Sequence, residues 1–308
     1  MPATIFIRRA SECSLEEITL ALKNGFEDYA FPFTRAPAQQ AERMALDDVV
    51  LEGSFVAFSD AGPVGAVLLG VRGQRGWCSD LALAQGYRGQ GVGRVLMEHQ
   101  IAEARVRKLA QLQLEVLTNN VPALQLYQSL GFKIERELTD YSGPLQYGVE
   151  AHAFSGVLVP DFEADAAEES VGRAPVAFDP AAVTRYYDEY HLAQPSWELE
   201  RPLLERLIAA GKSRALAVPG DAGDAPNAYL LYSEQEAQLD LLAFGARPGA
   251  DVTGGLELAT GLLNALAGQH PQTRFFALNV PPGDPLGPIL ENAGCPVAAK
   301  TFEMLLTL

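Results

Sequence analysis

The spacing of apolar and polar positions divides the first 155 residues into short alternating segments and longer segments of helical period. Residues 4–9 alternate as a strand. Ser14-Leu-Glu-Glu then opens a helix, with Leu15, Ile18, Leu22 and Phe26 on one face. An aromatic stretch broken by Pro32 leads to a second helix near residues 37–46. Residues 54–59 and 63–71 read as a hairpin turning at Asp60-Ala-Gly-Pro63, and residues 77–83 as the next strand. A helix is expected over 91–109, with Val95, Leu96 and Ile101 as its apolar positions. A strand follows over 112–117. Pro122 opens a short helix that ends at Gly131, and strands are expected over 133–141 and 146–154. This alternation predicts an α/β chain, with strands and helices in one mixed sheet structure.

The pattern then recurs. Asp80–Leu96 aligns without a gap on Asp240–Leu256 at an offset of 160, matching Asp80 with Asp240, Leu81 with Leu241 and Gly89 with Gly249. Asn120-Val-Pro122 pairs with Asn279-Val-Pro281, and Gly131 with Gly294. Between the copies, residues 160–175 carry five carboxylates and few large apolar side chains, which reads as a linker. The expected organisation is a first domain over 1–155, an acidic linker over 156–175 and a second domain over 176–308.

Composition narrows the function classes. The formal net charge is −16 across 308 residues, most of it after residue 145, which argues against nucleic acid as a general partner. Arg88, Arg94, Arg105, Arg107 and Lys108 concentrate positive charge in the first copy, where an anion would be drawn. Three scattered cysteines and four scattered histidines fit neither a disulfide framework nor a metal site, so no metal is expected. There is no run of about 18 apolar residues, and the N-terminus reads as a strand rather than a signal peptide. A cytoplasmic location and no membrane partner are therefore expected.

The chemistry concentrates at Arg88-Gly89-Gln90-Gly91-Val92-Gly93-Arg94, a glycine bend between the strand Leu81-Ala82-Leu83 and a helix. Such a bend points backbone N–H groups outward at the positive end of the helix dipole, where a phosphate fits. Arg88-x-x-Gly91-x-Gly93 resembles the acyl-CoA motif of the GCN5-related N-acetyltransferase (GNAT) superfamily. The block Asn120, Ala123, Leu126, Tyr127, Gly131 and Phe132 resembles that family's second signature.

The resemblance implies two tandem acyl-CoA N-acyltransferase-like domains, each a twisted, mostly antiparallel sheet flanked by helices with a splayed central strand pair. It also implies acetyl-CoA as cosubstrate and transfer of its acetyl group to a primary amine of a small molecule or peptide. Leu81, Ala82 and Leu83 would meet the pantetheine arm, with the Leu83 amide on the thioester oxygen. The bend from Arg88 to Arg94 would hold the diphosphate, and Asn120 and Ala123 would lie beside the arm. Tyr127 would be the general acid, since a phenol of pKa about 10 stays protonated beside a thiol of about 8.5. Tyr29, Phe31 and Phe33 are candidate acceptor contacts, or else core and loop anchors.

The general base is open: the matching strand position holds Trp77, and Asp80 is a candidate whose repetition as Asp240 suggests a structural role. Cys78 reads as a small core residue. The second copy has Pro248, Asp251 and Thr253 where the first has Arg88, Gly91 and Gly93, and Leu290 in place of Tyr127. It is therefore expected to be a degenerate copy that does not hold CoA in the same manner. The chain is expected to be a monomer with internal pseudo-symmetry or a homodimer. The competing reading is a noncatalytic acyl-CoA sensor or interaction protein.

Overall fold

A computed structural model describes residues 4–29, 33–144, 173–191, 193–220, 225–235, 238–249 and 252–308. The chain forms two compact units, Met1–Glu135 with Phe302–Leu308, and Arg136–Thr301. The expected linker over 156–175 and the expected strand over 146–154 lie almost wholly outside the described residues.

Unit 1 contains β1 (Phe6–Arg9), α1 (Leu15–Gly25), α2 (Pro37–Leu46), β2 (Phe55–Ser59), β3 (Gly62–Arg72), β4 (Arg75–Leu83), α3 (Val92–Val106), β5 (Gln111–Leu117) and α4 (Val121–Ser129). The strand β6 (Lys133–Pro144) begins there and carries the chain into unit 2. Strands β1 to β4 are antiparallel neighbours, and β5 joins β4 in parallel. Alternation along β2 and β3 builds two separate cores. Val56, Phe58, Ala66 and Leu68 pack with Ile18 and Leu22 of α1 and Met44 of α2. Phe55, Ala57, Val67 and Leu69 pack with Leu96, Met97 and Ile101 of α3. Val95, read as apolar in the sequence, is on the exposed side of α3. Helix α1 starts at a Ser14 and Glu17 capping box and packs closely on β4: a Cβ on Gly25 would come within 2.6 Å of the Leu83 nitrogen.

Unit 2 continues with β7 (Val176–Phe178), α5 (Pro180–Val183), α6 (Tyr187–Tyr190), α7 (Arg201–Ala209), β8 (Arg214–Pro219), β9 (Pro226–Glu234), β10 (Gln238–Ala246), α8 (Val252–Gln269), β11 (Arg274–Val280), α9 (Leu286–Asn292) and β12 (Val297–Thr307). Its strand order is β6-β11-β10-β9-β8-β7, with β10 and β11 parallel. The end of β12 returns to unit 1, where Met304 and Leu306 are buried with Val116, Tyr127 and Phe132. The Leu308 amide donates to the Ala110 carbonyl at 3.1 Å. This return has no sequence signature, because an apolar strand carries no label for the core it joins.

The strand registers correct the alignment of the two copies. Arg75 pairs with Gln111 where Gln238 pairs with Arg274, so the strands correspond at an offset of 163. Each copy has a one-residue bulge at the matching place, Ser79 in β4 and Leu242 in β10. Helix α8 is described from Val252 onward. Asp240 accordingly corresponds to Trp77, not to Asp80, and the argument from repetition for a structural Asp80 falls. Asn279 lies within β11 and does not match Asn120, which caps α4.

Truncating a fully buried methionine removes packing that the core cannot recover by collapse. Met304→Ala should cost about 2–4 kcal/mol of unit 1 stability, read as a lower denaturant midpoint with an unchanged slope.

Candidate active site

The site follows from a lapse in strand pairing. Strands β4 and β5 are paired at Arg75–Gln111, Gly76–Leu112 and Trp77–Gln113, and their pairing ends there, although both strands run on. The bulge at Ser79 coincides with the divergence. Beyond it, the Ala84 amide donates to the Val64 carbonyl at 2.8 Å. In an antiparallel ladder this makes Leu83–Gly65 and Leu81–Val67 the non-hydrogen-bonded pairs. The N–H and C=O groups of Leu81 and Leu83 therefore point away from β3, into the gap left by β5.

The glycine bend closes one end of this cleft. Gly91 is the N-cap of α3 at φ +85°, and Gly89 lies at φ +71°, with open space where a Cβ of either would be. The first helical bond runs from the Val95 amide to the Gly91 carbonyl. The amides from Gly89 to Arg94 have no acceptor among the described residues. The start of this fifteen-residue helix, at the positive end of its dipole, favours an anion.

The arginines of the bend do other work. The Arg88 Nε donates to the Leu83 carbonyl at 2.7 Å, and its two Nη atoms donate to the Asp28 carboxylate at 2.8 and 2.6 Å. Nη2 also reaches the Gly25 carbonyl at 2.9 Å. Arg88 thus ties the loop after α1 to the end of β4. Arg94 donates to the Ser129 hydroxyl and approaches Glu98 at 3.7 Å. The Gln90 side-chain amide donates to the Gly86 carbonyl at 2.7 Å.

Tyr127, on α4, is 6% exposed and packs against Phe132 with ring centroids 5.9 Å apart. Its hydroxyl has no hydrogen-bond partner among the described residues. Burial, with smaller contributions from nearby Cys78 and Tyr29, raises its pKa well above that of an ordinary phenol. The group is a proton donor at any neutral pH.

Asn120 is the N-cap of α4, where its side-chain oxygen accepts from the Ala123 amide at 3.4 Å. Of the aromatic candidates, Tyr29 meets Phe26 edge to face and is close enough to Tyr127 to perturb it. Phe33 stacks on Phe26 in the α1 core, and Phe31 lies outside the described residues. Cys78 is a buried core thiol whose pKa is raised by desolvation and by the charges of Asp80 and Glu115, so it is no nucleophile.

One residue was missed in the sequence. Leu112, Leu114 and Val116 face the α3 core, so alternation turns Glu115 to the opposite face, toward the α1 side. There the Trp77 indole donates to Glu115 Oε2. The carboxylate absent from Trp77's own position is thus supplied by the neighbouring strand. The only sequence signal was a charged residue between the buried Leu114 and Val116. Asp80 is nearby and accepts a weak bond from the Ser79 hydroxyl at 3.5 Å.

Unit 1 thus brings together a splayed strand pair, unpaired amides at a helix start and a buried phenol. The family model for the acetyltransferase (GNAT) family matches residues 20–132. Unit 1 is a GNAT domain. Streptothricin acetyltransferase of Streptomyces lavendulae is 41% identical over 97 residues, covering 32% of this chain and 48% of that protein. The ribosomal protein bS18 alanine N-acetyltransferase of Escherichia coli strain K12 is 34% identical over 106 residues, covering 34% of this chain and 66% of that one. The chain thus spans from about half to just under two thirds of the length of these relatives. A tandem GNAT protein from the clavulanic acid biosynthesis pathway shares the fold at a TM-score of 0.65 and 16% identity, covering 99% of this chain and 98% of that one. Two GNAT-like domains in one chain, in a family of acyltransferases, account for the duplicated bulge and splay. Among the described residues no helix is long and apolar enough to cross a membrane, and no group of side chains could hold a metal ion.

The contact between Arg88 and Asp28 holds the Asp28 carboxyl below its ordinary value, chiefly through the hydrogen bond. Because the folded value is depressed, the contribution is present above the ordinary carboxylate pKa and is lost as pH falls through the folded value. Arg88→Gln should return Asp28 toward the ordinary range, followed by NMR titration of its carboxyl carbon.

Proposed function

We propose that unit 1 is an acetyl-CoA-dependent N-acetyltransferase acting on a primary amine of a small molecule or peptide. The observation that carries this reading is the cleft beyond Trp77 and Gln113, which offers backbone groups to an extended amide chain and an anion cradle at its end. The amides from Gly89 to Arg94 bind the diphosphate. The outward N–H groups of Leu81 and Leu83 meet the pantetheine arm and the thioester oxygen, so Leu83 stabilises the developing oxyanion. The arginine at 88 acts on the scaffold rather than on phosphate, holding the carbonyl of Leu83 and the loop beside it.

Acid and base come from opposite faces of the sheet. Glu115, on the α1 side, takes a proton from the incoming ammonium, directly or through water. The freed amine attacks the carbonyl carbon, a C–N bond forms, and the C–S bond breaks as the tetrahedral intermediate collapses. Tyr127, on the α3 side, gives its proton to the departing sulfur, and the second proton lost by the nitrogen on collapse restores the phenol through solvent. A buried phenol with an unshared hydroxyl suits that step, because nothing competes for its proton.

The acceptor is sought with streptothricin, a peptide bearing an N-terminal alanine, polyamines and amino acids, following release of free thiol. With a turned-over acceptor, Tyr127→Phe should lower kcat by about 10²-fold or more while CoA affinity stays within twofold by calorimetry. A noncatalytic sensor would be indifferent to that change. Glu115→Gln should lower kcat similarly and remove the acidic limb of the pH profile of kcat/KM. Gly91→Asp puts a side chain at a left-handed position and a carboxylate against the diphosphate, and should abolish CoA binding.

A further inference from the structure

A buried side-chain amide in unit 1 has no partner, and it lies beside the proposed base. Leu112, Leu114 and Val116 point into the α3 core, so alternation along β5 turns Gln113 to the same face as Glu115. Gln113 also forms the last rung with Trp77 before the strands part. The residue is 6% exposed, yet its side-chain amide makes no hydrogen bond to any described residue. The other glutamines buried among the described residues are tied down. Gln40 Oε1 accepts from Arg35 Nε at 2.8 Å, and Gln100 Nε2 donates to the Leu68 carbonyl at 2.9 Å. The remaining amide atom of each is fully covered, whereas both amide atoms of Gln113 keep contact with solvent. Buried polar groups are nearly always paired, so an amide that is unpaired and open only at its tip calls for a ligand group.

The chemistry of that group follows from its surroundings. Residues two apart on a strand are about 7 Å apart, and both side chains are long. One small molecule can therefore meet Glu115 with its amine and Gln113 with an atom a few bonds away. An uncharged amide, which offers both donors and an acceptor, suits an uncharged partner. A carboxylate placed there would meet the charges of Asp80 and Glu115, both of which lie near enough to act on the Cys78 thiol. A plain alkyl chain would leave the amide unpaired once the site is closed. A carbonyl on the carbon next to the nitrogen also eases proton transfer, because an α-amino group has a pKa of about 8 and an alkylamine about 10.4. A carboxylate base takes the first of these protons far more readily.

We propose that Gln113 selects the acceptor by donating from Nε2 to an amide carbonyl, and that the acceptor is an α-amino amide. The proposal rests on the catalytic reading of unit 1, because it takes the amine to sit at Glu115.

The test uses the full chain with glycinamide as probe, and propylamine, 2-aminoethanol and glycine as comparators. With acetyl-CoA, kcat/KM from thiol release should be higher for glycinamide than for each comparator by about tenfold or more. Gln113→Leu should raise KM for glycinamide by about tenfold or more with little change in kcat. The acidic limb of the pH profile should persist in this variant, which separates its role from that of Glu115. If the leucine variant fails to fold, Gln113→Glu removes the donor with almost no change of shape.

A second readout needs no turnover. In nitrogen-15-labelled protein, the Gln113 side-chain NH2 signals, identified by their loss in either variant, should shift saturably with glycinamide and stay in place with propylamine. A shift without thiol release supports the binding role and overturns the transfer reading. An unmoved signal overturns the role of Gln113 whether or not thiol is released, and so does an unchanged KM in the variants. Equal or faster turnover of 2-aminoethanol or glycine would also overturn it, assigning the site to hydroxyl or carboxylate acceptors.

Discussion

Two parallel strands that begin paired and then diverge are the constraint on which this chain is built. A sheet interior normally satisfies every backbone group from its neighbours, and an open edge invites unwanted pairing. Here a single extra residue in β4 coincides with an edge opened inside the sheet, and the backbone groups of Leu81 and Leu83 point into the gap. The surrounding features support that opening. Gly25 lets α1 press against the end of β4, and Arg88 covers the Leu83 carbonyl while leaving its amide free. The bend that follows delivers a helix start where the cleft ends.

The duplication separates architecture from chemistry. Both copies retain the bulge, the lapse in pairing and the outward backbone groups, although few identical residues connect them. The first copy adds a carboxylate on one face and a phenol on the other. The second has aliphatic side chains at both places. A backbone device of this kind survives substitution, because it is specified by register and not by any one side chain.

Much of unit 1 was legible in the sequence, because its signals are local. Capping residues, helical spacing and turn residues mark α1, α2 and α4 closely, and the glycines of the bend mark its left-handed backbone. What escaped detection is relational. The strand registers, with matching bulges at Ser79 and Leu242, place the strands of the two copies three residues away from the gapless alignment. Glu115 is a lone charge until Trp77 is placed beside it, and Arg88 resembles a phosphate ligand until Asp28 is seen to occupy it. The core partner of a terminal strand is likewise invisible until the chain is folded.

That terminal strand has a kinetic consequence. Unit 1 lacks Met304 and Leu306 until the 166 residues of Arg136–Thr301 have been made and the chain has gone on past them. At the usual ribosomal pace of about 5–20 residues per second, that is a wait on the order of ten seconds or more. During that interval the nascent first unit must hold its sheet incomplete, with Val116 and Phe132 short of their final cover. Vectorial folding, one finished domain before the next, is closed to this topology.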